Sequence, residues 1–136
     1  MTASECQGHS QQLTFIVLPD LMAVCRLDQV APIPPWASSG SVFSITRTAD
    51  ELSIVCQQDH VPGDVRCERG WRYLRVAGTM AFSMIGVVAS LSTPLAEAGV
   101  GIFVISTFDT DYLLVKEGDF QNALVALRTA GHAIQV

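Results

Sequence analysis

Between Trp71 and Val136 the apolar residues switch repeatedly between a spacing of two and a spacing of three to four, and few folds accept that order. Trp71-Arg-Tyr-Leu-Arg-Val-Ala77 alternates large apolar with basic residues, the period of a half-exposed strand that stops at Gly78. Met84, Val88, Leu91, Leu95 and Ala98 then line one face of a helix, and Gly99 stands at its C′ position. The periodicity crosses Pro94, which predicts one continuous helix rather than a shorter one capped by Ser92 and Thr93. Gly101 to Thr107 reads as an apolar strand, Phe108-Asp109-Thr110 as a tight reversal, and Asp111 to Lys116 as the returning strand. Asp119 is placed to cap a second helix with Phe120, Leu124 and Leu127 on one face, and Gly131 ends it before a last strand, His132 to Val136. The order is βαββαβ, a ferredoxin-like α+β arrangement spanning residues 69–136.

The first half is richer in strands. Leu13 to Leu18 and Met22 to Leu27 are apolar and β-branched around Pro19-Asp20, and they predict either a hairpin or one bent ribbon. Three prolines in Ala31-Pro-Ile-Pro-Pro-Trp36 restrict the next stretch to a connection or a single helical turn. Val42 to Thr46 and Leu52 to Gln57 predict a hairpin about Arg47 to Glu51. Pro62-Gly63-Asp64 is a turn, and the charged run from Asp64 to Arg69 reads as a solvated loop and a boundary. Residues 1–12 are expected to be a disordered tail, 13–68 a reduced first module, and 69–136 a complete second one.

Composition narrows the function. A net charge of −5 with eight basic residues scattered along the chain offers a phosphate backbone no footprint, so nucleic acid is an unpromising partner. The apolar run Leu13 to Leu18 is interrupted by Pro19 and lacks a basic flank. It is too short for a signal core, and no run approaches the roughly 20 residues of a membrane span. A cytoplasmic protein is expected. Cys6, Cys25, Cys56 and Cys67 are widely spaced without a CxxC pair and predict reduced thiols packed as small apolar groups. No phosphate loop, nucleophile elbow or zinc-protease motif is present, and His9, His60 and His132 lack carboxylates or thiols at metal-ligand spacing. No enzyme, cofactor or metal is expected. Only 15% of residues are charged and mean hydropathy is +0.36, so part of the surface is expected to pack against a second copy.

The run Ser92-Thr-Pro-Leu-Ala-Glu-Ala-Gly-Val-Gly-Ile-Phe-Val-Ile-Ser-Thr-Phe-Asp-Thr-Asp-Tyr-Leu-Leu-Val115 resembles the second module of bacterial tandem ACT proteins related to aspartate kinase regulatory domains. It also resembles the animal cytosolic arginine sensors, in which a strand ends in Ser-Thr-aromatic shortly before an aspartate; here these are Ser106, Thr107, Phe108 and Asp111. Val42 to Cys56 is similar to the first module of the bacterial proteins. The resemblance implies two ACT modules in tandem, a regulatory role, a homodimer, and a free amino acid bound at a module interface. Its ligand-binding positions carry over to Phe82, Ser83, Met84, Ile85, Gly86 and Val87 on one side and to Ser106, Thr107, Phe108 and Asp111 on the other.

The chemistry of these residues suits an amino acid. A helix N-terminus near Phe82 to Val87 offers unpaired N–H groups to a carboxylate, and Gly86 allows close approach. Asp111 and the Thr107 hydroxyl suit an α-ammonium, with Phe108 as a shield from water. Each also has a purely structural reading: Thr107 and Asp109 as turn formers, Asp111 as a hairpin cap, Gly86 as a packing glycine, and Met80, Phe82 and Met84 as core. The arginine sensors place an acidic residue in the loop before their helix glycine, and Met80-Ala-Phe-Ser-Met84 has none. A small or apolar amino acid is therefore favoured over arginine. The competing reading is a ligand-free module whose sheet edge or helix face serves assembly with another protein.

Overall fold

A computed structural model describes residues 12–77 and 86–136. Packing divides the chain into two units: one takes the described residues up to Leu18 together with Tyr73–Val136, the other Pro19–Arg72. A linear boundary after residue 68 is expected from the charged run, whereas the packing follows two long strands that each run through both units. The first is β1, Thr14–Leu27, and the second is β4, Cys67–Val76. Pro19-Asp20 neither turns nor breaks β1, so the ribbon rather than the hairpin is formed.

In the unit formed by Pro19–Arg72, β1 is flanked by β3 (Leu52–Gln57) and β4, and β2 (Ser44–Arg47) lies outside β3. The β2/β3 hairpin is antiparallel, Ile45 opposite Ile54, and β3 in turn pairs antiparallel with β1, Cys25 opposite Ile54. The proline-rich stretch contributes one 3₁₀ turn, Pro35–Ser38. Ala23, Cys25, Ala37, Leu52, Ile54, Cys56 and Val61 form the core. Three arginines bind main-chain carbonyls: Arg26 donates to Asp50 O, Arg47 to Gln29 O and Ala31 O, and Arg69 to Gln58, Val61 and Pro62 O. Arg69 corrects the reading of 64–69 as a solvated loop, because Cys67–Arg69 already belong to β4 and the guanidinium holds the preceding turn.

The other unit contains the βαββαβ order read from the sequence. After β4 come α1 (Val87–Glu97), β5 (Ile102–Ser106), β6 (Asp111–Lys116), α2 (Phe120–Thr129) and β7 (Ala133–Gln135). Helix α1 runs through Pro94 as its periodicity predicts, and Gly99 follows it with φ +75°. Asp119 is at the start of α2 but makes no capping hydrogen bond with its side chain. A 3₁₀ turn over Glu117–Asp119 leads into the helix instead. The sheet order is β7-β1-β4-β6-β5, with β7 parallel to the start of β1 and β5 antiparallel to β6. The start of β1 thus lies between the first and last strands of the βαββαβ unit, an intrusion that the order of elements does not reveal. Leu13, Phe15, Leu74, Val76, Leu113 and Val115 from the strands meet Val87, Leu91, Leu95, Phe120, Ala123, Leu124 and Leu127 from the helices in one apolar core. Burial of this set is the main force holding the helices on the sheet.

Candidate functional site

The β5/β6 hairpin sets Ser106 opposite Asp111 and closes over Thr107 to Thr110. The turn is built by Thr107. Its N–H donates to Thr110 O at 2.8 Å, its hydroxyl donates to the same oxygen at 3.0 Å, and Thr110 N–H donates to that hydroxyl at 3.2 Å. This commits the Thr107 hydroxyl proton to the turn, so toward a ligand ammonium the oxygen has only accepting capacity left. Thr110 is buried and its hydroxyl donates to Val76 O at 2.9 Å, which fastens the hairpin to the end of β4. Thr110 was not among the residues singled out from sequence, where Thr in a reversal is an ordinary turn former.

Asp111 is only 6% exposed. Among the described residues its carboxylate has no hydrogen-bond or salt-bridge partner, and its oxygens are not among the fully buried unpartnered atoms, so they keep contact with solvent. Phe108 is 77% exposed. Ser106 and Thr107 are also on the surface at the same hairpin end.

At the other flank of the candidate site, Gly86 precedes α1 with φ +83°, a conformation that favours glycine, and its carbonyl accepts from Ser90 N–H at 2.8 Å. Val87 is buried in the core, so only its main chain is available to a ligand. The first N–H groups of α1 have no intrahelical acceptor. Phe82, Ser83, Met84 and Ile85, with Met80, lie outside the described residues. The structure therefore brings Ser106, Thr107, Phe108 and Asp111 together at one hairpin end and ties that end to Val76, ahead of the segment that leads into α1.

His132 is a second residue that sequence reasoning passed over. Its Nδ1 accepts from Leu13 N–H at 3.0 Å, and its Nε2–H donates to Ser90 O at 3.0 Å. The two bonds fix the neutral tautomer with the proton on Nε2. The ring also meets Phe15 edge-on, centroids 5.6 Å apart. His132 thus anchors α1 to the strand layer from inside. Among the described residues no group of three His, Cys, Asp or Glu side chains is arranged to hold a metal ion. No helix of the described residues is long and apolar enough to cross a membrane.

A family model for the ACT domain matches residues 66–129, and a second, for an N-terminal domain, matches residues 20–64. Residues 66–129 belong to the ACT-domain family. It is similar to a human protein named cytosolic arginine sensor for mTORC1 subunit 1, with 30% identity over 108 residues. That match takes in 74% of this chain and 33% of the human protein, so the chain spans about a third of the length of such relatives. A crystal structure of a protein from Agrobacterium tumefaciens superposes with a TM-score of 0.87 at 43% identity, covering 91% of this chain and 92% of that one. The ligand-free regulatory subunit of aspartate kinase from Thermus thermophilus shares the fold alone, with a TM-score of 0.57 at 11% identity over 82% of this chain and 93% of that one. The ACT fold expected from the sequence is the fold of this protein.

Proposed function

We propose that this ACT protein is a regulatory ligand sensor, not a catalyst, that binds a free amino acid beside Asp111 and acts as a homodimer. The observation that carries the reading is Asp111, a residue only 6% exposed whose carboxylate has no partner among the described residues, at the hairpin end of an ACT unit. An α-ammonium would complete it with a charge-assisted hydrogen bond of roughly 1.5–3 kcal/mol. The N–H groups before and within the first turn of α1 would take the ligand carboxylate, with Phe82 to Val87 forming that side. The arginine sensor among the relatives supports an amino acid as the ligand class. The absence of an acidic residue in Met80 to Met84 favours a small or apolar side chain over arginine.

The test is thermal denaturation against each of the 20 free amino acids. A ligand at 100 times its Kd should stabilise the fold by about 2.7 kcal/mol, a Tm rise of several degrees. Asp111→Asn should abolish the rise while leaving the unliganded Tm close to that of the parent, since it keeps the size and shape of the side chain. No rise with any amino acid would sink the reading.

A second reading, a ligand-free assembly module, is favoured by the helix layer. A groove of about 600 Å³ lies there, lined by Pro94, Glu97, Ala98, Asn122, Val125 and Ala126 among others, and none of the described candidate ligand residues lines it. Val88 on α1 and Val125 on α2 are exposed. If this face serves assembly, Val125→Glu should shift the sedimentation coefficient to that of a smaller species without changing any amino-acid response.

A further inference from the structure

Three of the four cysteines converge in the unit formed by Pro19–Arg72. The strand order β3-β1-β4 places Cys25 in the middle, on the strand between those that carry Cys56 and Cys67. Arg26 N–H donates to Arg66 O at 3.0 Å. That bond sets Arg26 across from Arg66 and points to their neighbours Cys25 and Cys67 as the adjoining cross-strand, non-hydrogen-bonded pair. Cα atoms at such a position approach to about 4.5 Å, with both side chains on one face. A disulfide spans roughly 4.4–6.8 Å between Cα atoms, a range that includes this spacing. Cys56 is opposite Ala23, a diagonal neighbour of Cys25 on the same face, and diagonal pairs stand farther apart, at about 7–8 Å. All three thiols are free; Cys25 and Cys56 are buried, while Cys67 is partly exposed at the start of β4.

We propose that Cys25 and Cys67 form a reversible intrachain disulfide when the protein meets hydrogen peroxide, which makes this cluster an oxidative modification site. Peroxide reaches Cys67 because it alone of the three is partly exposed. The Cys67 sulfur takes one peroxide oxygen as the O–O bond breaks, giving a sulfenic acid and one water. The Cys25 sulfur then attacks the Cys67 sulfur; the S–S bond forms, the S–O bond breaks, and the hydroxyl leaves as a second water. Two thiols and one peroxide give one disulfide and two waters. Cys56 is placed to accept the Cys25 proton during attack. The hydrogen bond from the Cys25 thiol and the nearby Arg69 charge hold the Cys56 thiol below the usual range, and the same bond to Cys56, with burial, holds the Cys25 proton on. Cys56 is thus the positioning residue and Cys25 and Cys67 are the bonded pair.

The experiment treats the reduced full-length protein with hydrogen peroxide, alkylates remaining thiols in denaturant, and maps non-reduced peptides by mass spectrometry. The expected product is a single intrachain Cys25–Cys67 link, with Cys56 alkylated, that is lost on dithiothreitol treatment and absent from Cys67→Ser. Cys56→Ala, verified as folded by circular dichroism, should form the same link several-fold more slowly. The proposal is overturned if Cys25 stays fully alkylated while Cys67 proceeds to sulfinic acid. A Cys25–Cys56 link, or links between chains only, overturns it as well. An unchanged rate in Cys56→Ala removes the role given to Cys56.

Discussion

Replacing His132 by alanine removes a ring that is 7% exposed and that satisfies two main-chain groups from distant parts of the chain. Leu13 N–H is buried, and without Nδ1 it loses its acceptor, a loss of about 1–3 kcal/mol. The edge-on contact with Phe15 adds about 0.5–1.5 kcal/mol. Together these give roughly 1.5–4.5 kcal/mol, a large share of the roughly 5–15 kcal/mol that holds a domain folded. Urea denaturation followed by far-ultraviolet circular dichroism measures it: for a slope of about 2 kcal/mol/M the midpoint should fall by roughly 1–2 M. Two further variants separate the bonds. His132→Asn retains an acceptor where Nδ1 stood and should recover part of the loss through Leu13, whereas His132→Gln retains a donor in the place of Nε2 and should recover it through Ser90. An alanine variant within 0.5 kcal/mol of the parent at an unchanged slope would refute the reasoning, as would an asparagine variant no better than alanine.

Gly70 lies inside β4 with φ +81° and no atom within 4 Å of where a Cβ would stand, so Gly70→Ala should cost about 1–2 kcal/mol from backbone strain alone, read by the same denaturation. Thr110→Val removes the hydroxyl that binds Val76 O and should cost about 1–3 kcal/mol while speeding amide exchange at the hairpin. The thiol pair gives a pH dependence with two signs. Cys56 is lowered by the bond from Cys25 and by Arg69, so from its native pKa up to the unfolded value of about 8.5 the native state holds fewer protons and stability rises with pH. Cys25 is raised by its bond to Cys56 and by burial, so above about 8.5 the unfolded state releases a proton the native state keeps, and stability falls. Denaturation across pH 6–10 should show a maximum near about 8.5 that Cys25→Ser with Cys56→Ser abolishes.

The sequence makes the βαββαβ half legible because its elements alternate in period and are punctuated by Gly99, Gly101 and Gly131. Even the proline at position 94 is read correctly, since Leu91, Leu95 and Ala98 keep the helical spacing on both sides of it. The place of β1 is not legible, because strand pairing depends on partners remote in sequence: Thr14 pairs with Ala133, and no local pattern announces it. The pairing also makes β1 continuous across Pro19, where local propensity alone leaves a hairpin open. At the candidate site, residue types locate the hairpin and Asp111, but Thr110 and His132 act through partners 34, 42 and 119 positions away. A threonine in a turn and a histidine beside a short strand carry no signal of such contacts. Asp119 shows the converse case, in which a favoured cap residue is present and its bond is not made.

Because Pro19–Arg72 is nested within the sequence of the other unit, the two halves of this chain cannot mature in the same way. A ribosome delivers the inner unit whole, whereas the outer one must hold the start of β1 until α2 and β7 emerge. Contacts spanning more than a hundred residues make its closure the slow, late event of folding. Until then the strand edge that β7 will cover stays open to foreign strands, so interrupted synthesis would leave a chain prone to associate rather than a smaller working protein.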